Sequence, residues 1–216
     1  IVAKCNEAVF DEAGVVFDED QDDLLNLFPH TVLARKRGSC LGISLLFLQL
    51  AEKLDVPIYG VSAPEHFFVR FDNGEKHINV EPIKEGKVLS DEWYRRRYEL
   101  TEKSRFDLAS LSRHEVRGAL LYNVGNCFRG EGLFAQAARC YEQATTDMPS
   151  LAEAWGNLGI VYESMDRPRK AVAALEKARA LDPGLRNICY NLGALYVRLN
   201  RHERAIDEYH RALEAT

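Results

Sequence analysis

The feature that most restricts the fold of this chain is a pattern that returns every 34 residues in its second half. Aligned on Gly118, Ala152 and Arg186, three copies share a glycine at the eighth position, an aromatic residue at the eleventh, and alanines at the twentieth and twenty-seventh. The matching residues are Gly125, Gly159 and Gly193; Phe128, Tyr162 and Tyr196; Ala137, Ala171 and Ala205; and Ala144, Ala178 and Ala212. This period is typical of stacked helical hairpins, because small residues permit close helix contact and aromatic residues fill the space between hairpins.

The repeat boundaries follow from prolines. Pro149 and Pro183 each stand where a second helix must end, since proline cannot continue it. We therefore predict repeats at 118–151, 152–185 and 186–216. The pattern resembles the tetratricopeptide repeat family, whose Trp-x2-Leu-Gly-x2-Tyr signature is intact from Trp155 to Tyr162. The resemblance implies an all-α array that binds another polypeptide.

The sixth position of every repeat is an asparagine: Asn123, Asn157 and Asn191. In the family this position faces the concave groove, so the resemblance implies that these amides bind an extended peptide backbone. The alternative is that asparagine is simply common at this position. Members of the family that grip a C-terminal carboxylate use Lys and Arg in the groove. Tyr122, Asn187 and Asn191 stand at those positions here, so that ligand mode is not expected.

In the first half, a helix is predicted from Cys40 to Leu54, after a turn at Arg37-Gly38-Ser39. Its buried stripe is expected to contain Leu41, Leu45, Leu48 and Ala51. Cys40 then lies in the first turn, where the positive end of a helix favours an anion and thus the nucleophilic thiolate. The alternative interpretation is a cysteine that serves as a small buried apolar residue.

A hairpin is predicted next. After a short strand at 57–61, a strand from His66 to Phe71 leads through Asp72-Asn73-Gly74 into a return strand at 76–81. Alternation puts His77, Asn79 and Glu81 on one face of the return strand, and the hairpin brings the end of that strand, near Glu81, opposite His66. A thiol at a helix start, a histidine and a carboxylate are the three parts of an activated-thiol site.

The same segment resembles the transglutaminase-like superfamily, with the closest likeness to its bacterial, SirB-related branch. The resembling stretches are Arg37–Leu45, Pro64–Arg70 and Ile78–Pro82. The resemblance implies a papain-like fold in which Cys40 is the nucleophile, His66 is base and then acid, and Glu81 orients His66. Asn79 is an alternative orienting residue, as in papain-like proteases.

Composition excludes several classes of function. The net charge is −5, and the sequence lacks the basic patch that binding of nucleic acid requires. No apolar run is long enough to span a membrane. Five cysteines without a Cys-x2-Cys pair argue against disulfides and zinc and favour, weakly, a reducing cytoplasmic compartment. The acidic Asp18-x-Asp20-x-Asp22 spacing lacks the glycine and glutamate of a calcium loop, where Asp23 and Pro29 stand. No metal or cofactor is therefore expected.

These inferences predict an α+β papain/transglutaminase-like domain at 1–108, a connection at 109–117 and an all-α tetratricopeptide array at 118–216. Because the chain starts at Ile1, we expect a fragment or a processed form. The predicted function is thiol-dependent acyl transfer or amide hydrolysis on a protein or peptide by Cys40, His66 and Glu81, with the repeats recruiting the partner. The alternative is a non-enzymatic adaptor with a relic first domain.

Overall fold

The structure is a computed structural model that describes residues 1–20, 23–100 and 108–214. It divides into two compact units, Ile1–Val116 and Arg117–Thr216. The predicted fold class is confirmed, since the first unit combines helices with an antiparallel sheet and the second is helical. No helix in the described ranges is long and apolar enough to cross a membrane.

The first unit contains α-helices and short strands. Its α-helices are α1 (Val2–Asn6), α2 (Pro29–Arg35), α3 (Cys40–Leu54) and α4 (Asp91–Arg97). Its strands are β1 (Val16–Phe17), β2 (Arg37–Gly38), β3 (Ile58–Ala63), β4 (His66–Asp72), β5 (His77–Glu81), β6 (Lys87–Leu89) and β7 (Ser110–Leu111). A π-helical turn spans Glu7–Glu12, and 3₁₀ turns span Leu24–Asn26 and Pro82–Lys84.

Among the described residues, one antiparallel sheet has the strand order β6-β5-β4-β3-β7. Both of its faces are covered. Val69 on β4 packs with Ile43 and Phe47 of α3. The preceding residue, Phe68, packs with Tyr94 of α4. Because neighbouring strand residues point to opposite faces, α3 and α4 lie on opposite sides of the sheet.

The predicted helix bounds, 40–54, agree with those of α3, but its predicted stripe is only partly right. Leu41 and Ala51 are buried, whereas Leu45 and Leu48 are half-buried. Other residues, including Ile43 and Phe47, are buried instead. The physical reason is that α2, the N-terminal segment and the sheet all pack on this helix, so its buried face is wider than one stripe.

The hairpin is confirmed. Strand β4 runs from His66, and its antiparallel register pairs Val69 with Val80 and Arg70 with Asn79. Continued by one residue, that register brings Glu81 opposite Phe68, on the sheet face that also carries His66. The first strand begins and ends slightly later than predicted, at Ile58–Ala63.

The second unit consists of paired helices. They are α5 (Arg113–Gly130), α6 (Phe134–Asp147), α7 (Ala152–Ser164), α8 (Pro168–Leu181), α9 (Arg186–Arg198) and α10 (His202–Glu214). The segment predicted as a connection, 109–117, holds strand β7 and the first residues of α5. Aromatic residues link successive repeats, because Tyr196 donates a hydrogen bond to Glu176 at 2.6 Å and Tyr162 donates one to Glu142.

The repeated glycine has a packing role. A Cβ on Gly159 would lie 2.5 Å from Leu175 Cγ and 3.2 Å from the backbone oxygen of Ala171 on the paired helix. The same conflict exists between Gly125 and Tyr141 and between Gly193 and Tyr209. These glycines therefore set how closely the two helices of a hairpin approach.

We expect Gly159→Ala to lower the free energy of unfolding by about 1–3 kcal/mol, because the added methyl forces α7 and α8 apart. Gly130→Ala is the matched control in the same array. Nothing lies within 4 Å of a Cβ at Gly130, so this change should be neutral or slightly stabilising. Urea unfolding of both variants measures the difference, and equal stabilities would contradict the packing role.

Candidate functional site

Cys40 opens α3, and the residues around it explain why the helix begins there. The Ser39 hydroxyl accepts a hydrogen bond from Gly42 N at 3.1 Å, which caps the helix. Ser39 in turn donates from both N and Oγ to the carbonyl of Asn26, at 3.0 and 3.1 Å. A Cβ at position 42 would collide with that same carbonyl oxygen. The Ser-Cys-x-Gly sequence thus fixes the thiol at the helix start.

His66 and Glu81 are brought together as predicted. His66 Nε2 lies 2.9 Å from Glu81 Oε2, and both side chains are buried. The half-buried thiol of Cys40 interacts with the His66 ring and contributes to raising its pKa. Because Glu81 occupies Nε2, Nδ1 is the nitrogen left for the thiol. The imidazole thus contacts the Glu81 carboxylate and lies near enough to the Cys40 thiol to be influenced by it.

The electrostatics of His66 follow from these contacts. Burial lowers the pKa of the imidazole, but the hydrogen bonds and charges of Cys40 and Glu81 outweigh burial and raise the pKa to about 9. With this direction of change, the ring is expected to be an imidazolium at neutral pH. A buried imidazolium between two acidic groups is able to stabilise a thiolate and later to release a proton.

Glu81 is fully buried and receives more than one hydrogen bond. Tyr94 Oη donates to Oε2 at 2.9 Å, and the backbone N of Ile83 donates to Oε1 at 3.2 Å. Burial, followed by the charge of Glu81, raises the pKa of Tyr94. The contact of Tyr94 with this carboxylate is a finding of the structure that the sequence analysis did not predict.

Aromatic rings surround the imidazole. The Tyr98 ring lies 5.6 Å from that of His66, at 18° to its plane, and Tyr94 and Phe68 lie slightly farther away in a similar orientation. Burial, with the nearby charge of Glu81, raises the pKa of the half-buried Tyr98 to about 12. These neighbouring rings contribute to the burial of the His66 side chain.

The alternative in which Asn79 orients His66 is wrong. Asn79 Oδ1 accepts from Arg70 Nε at 2.7 Å, and its Nδ2 donates to Asp91 Oδ1 at 2.7 Å. The reason is the strand register, which pairs Asn79 with Arg70. His77, Asn79 and Glu81 share a face of β5, as predicted. On that face, His77 reaches Asp91, as Asn79 does.

The acidic segment before α2 engages neighbouring arginines. Asp23 pairs with Arg35 at 2.6 Å and Asp18 with Arg37 at 3.5 Å. Asp18 also accepts a hydrogen bond from the backbone of Asp20 at 3.1 Å. Asp22, the third member of the calcium-like spacing, lies outside the described residues.

The three repeat asparagines lie at equivalent places on α5, α7 and α9, and each is half-buried. Asn123 Nδ2 donates to the carbonyl of Ala119 at 2.9 Å, and Asn157 Nδ2 donates to Asn126 Oδ1 at 2.9 Å. An amide has two N–H groups and a carbonyl oxygen. These internal bonds thus use part of the hydrogen-bonding capacity of Asn123 and Asn157.

Two kinds of protein family match the chain, one in each half. Residues 1–120 match the sequence profile of the transglutaminase-like superfamily, and residues 117–184 and 187–216 match tetratricopeptide repeat profiles. The assignment to a SirB-related branch stays a prediction.

Several individual proteins are similar to the chain. A UPF0162 protein of Xylella fastidiosa is 23% identical over 202 residues, which cover 87% of this chain and 70% of that protein. Human F-box only protein 21 is 34% identical over 79 residues, which cover 33% of this chain and 13% of that protein.

Similar solved structures match part of the chain. A crystal structure of MamA covers 45% of this chain, with 26% identity and a TM-score of 0.44, and the match spans 57% of MamA. The second tetratricopeptide domain of Spaghetti (RPAP3), bound to an HSP90 peptide, covers 46% of this chain and 93% of that domain, with 19% identity and a TM-score of 0.45.

Proposed function

The chain belongs to the transglutaminase-like superfamily and continues into tetratricopeptide repeats, and from this membership we propose that it catalyses thiol-dependent acyl transfer or amide hydrolysis on a protein or peptide. The observation that carries the proposal is the buried His66–Glu81 contact at 2.9 Å, together with the influence of the Cys40 thiol on the pKa of the same ring. Those contacts supply a nucleophile, a proton carrier and a group that fixes the carrier's tautomer.

In the first half of the reaction, Cys40 Sγ attacks the carbonyl carbon of the substrate. A C–S bond forms, and the carbonyl oxygen becomes an oxyanion next to backbone N–H groups at the start of α3, including that of Cys40. His66 gives its Nδ1 proton to the leaving amine, and the C–N bond breaks. A thioester on Cys40 and a neutral imidazole remain.

In the second half, water or an amine attacks the thioester. His66 Nδ1 takes the proton of the attacking group, and the C–S bond breaks to restore the thiolate and the imidazolium. Glu81 accepts from Nε2 throughout, so the ring neither rotates nor changes tautomer. Water as the acceptor gives hydrolysis, and an amine gives transfer.

The direct test is acylation by p-nitrophenyl acetate, followed by mass spectrometry of the peptide that carries Cys40. We expect an acetyl group on Cys40 and release of nitrophenolate that is lost in Cys40→Ala. Cys140→Ala is the matched control, because Cys140 is another half-buried thiol, and burial raises its pKa. Equal acetylation of both thiols would refute the proposal and favour the non-enzymatic adaptor. Faster turnover with added methylamine would identify an amine acceptor.

The repeats bring the protein or peptide to this chain in the proposed function. Support comes from the three equivalent asparagines, Asn123, Asn157 and Asn191, whose remaining amide groups suit an extended backbone. Helix α9 also exposes Tyr190 and Val197, which offer apolar contact.

For peptides selected on the full chain from a random library, we expect Asn123→Ala with Asn191→Ala to weaken binding by about tenfold or more, since two backbone hydrogen bonds are lost. Isothermal titration measures this. Lys177→Ala, an exposed change on α8, is the control and should leave the affinity unchanged. Unaltered affinity in the double variant would exclude the asparagine groove as the binding surface.

A further inference from the structure

The hydrogen bonds around Glu81 include one from a residue other than Cys40 and His66. Oε2 of Glu81 accepts from His66 and from Tyr94, each at 2.9 Å, while Oε1 accepts from the Ile83 backbone. A glutamate side chain has three rotatable bonds, so a single hydrogen bond to His66 does not fix where its carboxylate sits. Tyr94 supplies the second bond to the oxygen that faces the imidazole.

The Tyr94 hydroxyl is itself held in place by packing. Its ring is fully buried and stacks on Phe68 at 3.9 Å and 9°. Phe68 lies two residues after His66 on strand β4. The strand that carries the imidazole therefore also positions the Tyr94 phenol. The raised pKa of Tyr94 keeps its proton in place over the working range, which makes it a permanent donor to the carboxylate.

Helix α4, which carries Tyr94, is fastened to the strands that carry the site. Asp91, its first residue, accepts from Arg70 Nη2 on β4 at 2.6 Å and from Asn79 Nδ2 on β5 at 2.7 Å. Arg70 is buried and also donates to the carbonyl of Leu108 at 2.7 Å. His66 and Glu81 lie on these same two strands, so the ion pair fixes the distance between the phenol and the carboxylate.

We propose that Tyr94 is a positioning residue that holds the carboxylate of Glu81 against His66, with α4 anchored for this task by Arg70 and Asp91. The proposal rests on the proposed function, because positioning matters only if the thiol and the imidazole react. The charged and titratable groups that face the imidazole are Cys40 from α3, Glu81 from β5, Tyr94 from α4, and Tyr98 directly after α4. Of these, Tyr94 contacts the Glu81 oxygen that bonds to Nε2.

The test compares Tyr94→Phe with Trp93→Phe. Trp93 lies on the same helix and contacts the Tyr94 ring edge-on at 5.1 Å, so it controls for general disturbance of α4. Two quantities are measured on the full chain: the rate at which iodoacetamide alkylates Cys40, with Cys140 as the internal reference, and the titration midpoint of the His66 ring by NMR.

For Tyr94→Phe we expect alkylation of Cys40 at about pH 6.5 to slow about tenfold, and the His66 midpoint to fall by about one pH unit, because a mobile carboxylate supports the imidazolium less well. Trp93→Phe should change both by less than about twofold, which is about 0.3 pH unit. A folded Tyr94→Phe protein with an unchanged or higher midpoint would overturn the proposal, since the phenol would then not position the carboxylate.

A second variant keeps the hydroxyl and removes its anchor. Asp91→Asn should shift both quantities in the same direction as Tyr94→Phe, by a smaller amount, and wild-type values would overturn the anchoring role. Failure of the proposed function gives a different result. In that case His66→Ala leaves Cys40 alkylation unchanged, whereas a His66-dependent rate that is insensitive to Tyr94→Phe rejects this inference alone.

Discussion

Replacing Glu81 with glutamine is expected to lower the free energy of unfolding by about 3 kcal/mol at about pH 6.5. Glutamine keeps the size of the side chain and an oxygen for Tyr94, but it removes the charge that holds the His66 imidazolium. The variant must then bury an unpaired imidazolium or discharge the ring. Either outcome removes the stabilisation that the buried pair provides.

The sign of the pH dependence follows from the direction of the pKa change. The pKa of His66 is raised from 6.5 to about 9 in the folded protein. Its contribution is therefore fully present below about pH 6.5 and is lost as the pH rises through about 9. The difference in stability between wild type and Glu81→Gln should shrink accordingly in urea unfolding at about pH 10.

The control for this prediction is Glu52→Gln. Glu52 forms an ion pair with Arg113 at 2.9 Å, but both side chains are exposed, so the change should cost no more than about 1 kcal/mol. Equal losses at positions 81 and 52, or a loss at position 81 that does not vary with pH, would be inconsistent with a buried His66–Glu81 ion pair.

Replacing His66 with alanine is expected to slow the alkylation of Cys40 by iodoacetamide about 100-fold at about pH 6.5. An unpaired thiol is only about 1% thiolate at that pH, whereas a thiol paired with an imidazolium reacts largely as the thiolate. At about pH 10 an unpaired thiol is ionised without help, so the two proteins should react at similar rates.

Two comparisons control for nonspecific effects on reactivity. Cys140 reports general changes in exposure within the same molecule. His30→Ala removes an exposed histidine whose ring lies 6.0 Å from that of Phe28, and should leave the Cys40 rate unchanged. If His66→Ala and wild type react equally at about pH 6.5, the thiol and the imidazole are not coupled.

Much of the fold is readable from local sequence because its causes are local. Ser39 caps the helix that Cys40 opens, so the start of α3 coincides with its predicted position. The Asp72-Asn73-Gly74 turn sets the hairpin register, which places Glu81 within reach of His66. The repeat period likewise predicts that small residues are needed where α7 meets α8, as the surroundings of Gly159 show.

The remainder of the site depends on contacts between segments distant in the chain. Alternation puts Asn79 and Glu81 on the same face and does not distinguish between them. The cross-strand pairing of Asn79 with Arg70 distinguishes them. That pairing is inferred from the sequence by counting residues back along both strands from the turn. Tyr94 reaches Glu81 because α4 packs on the sheet. In the sequence, an aromatic residue that bonds to a carboxylate looks the same as one that only packs in the core.

The measurement that tests the central claim most directly is the NMR titration of the His66 ring in the wild-type protein. If the ring lies between the Cys40 thiol and the Glu81 carboxylate, it keeps both nitrogen protons through neutral pH and titrates at about pH 9. A ring that titrates near the ordinary value of about 6.5, with the protein folded, would mean that the two acidic partners do not hold it.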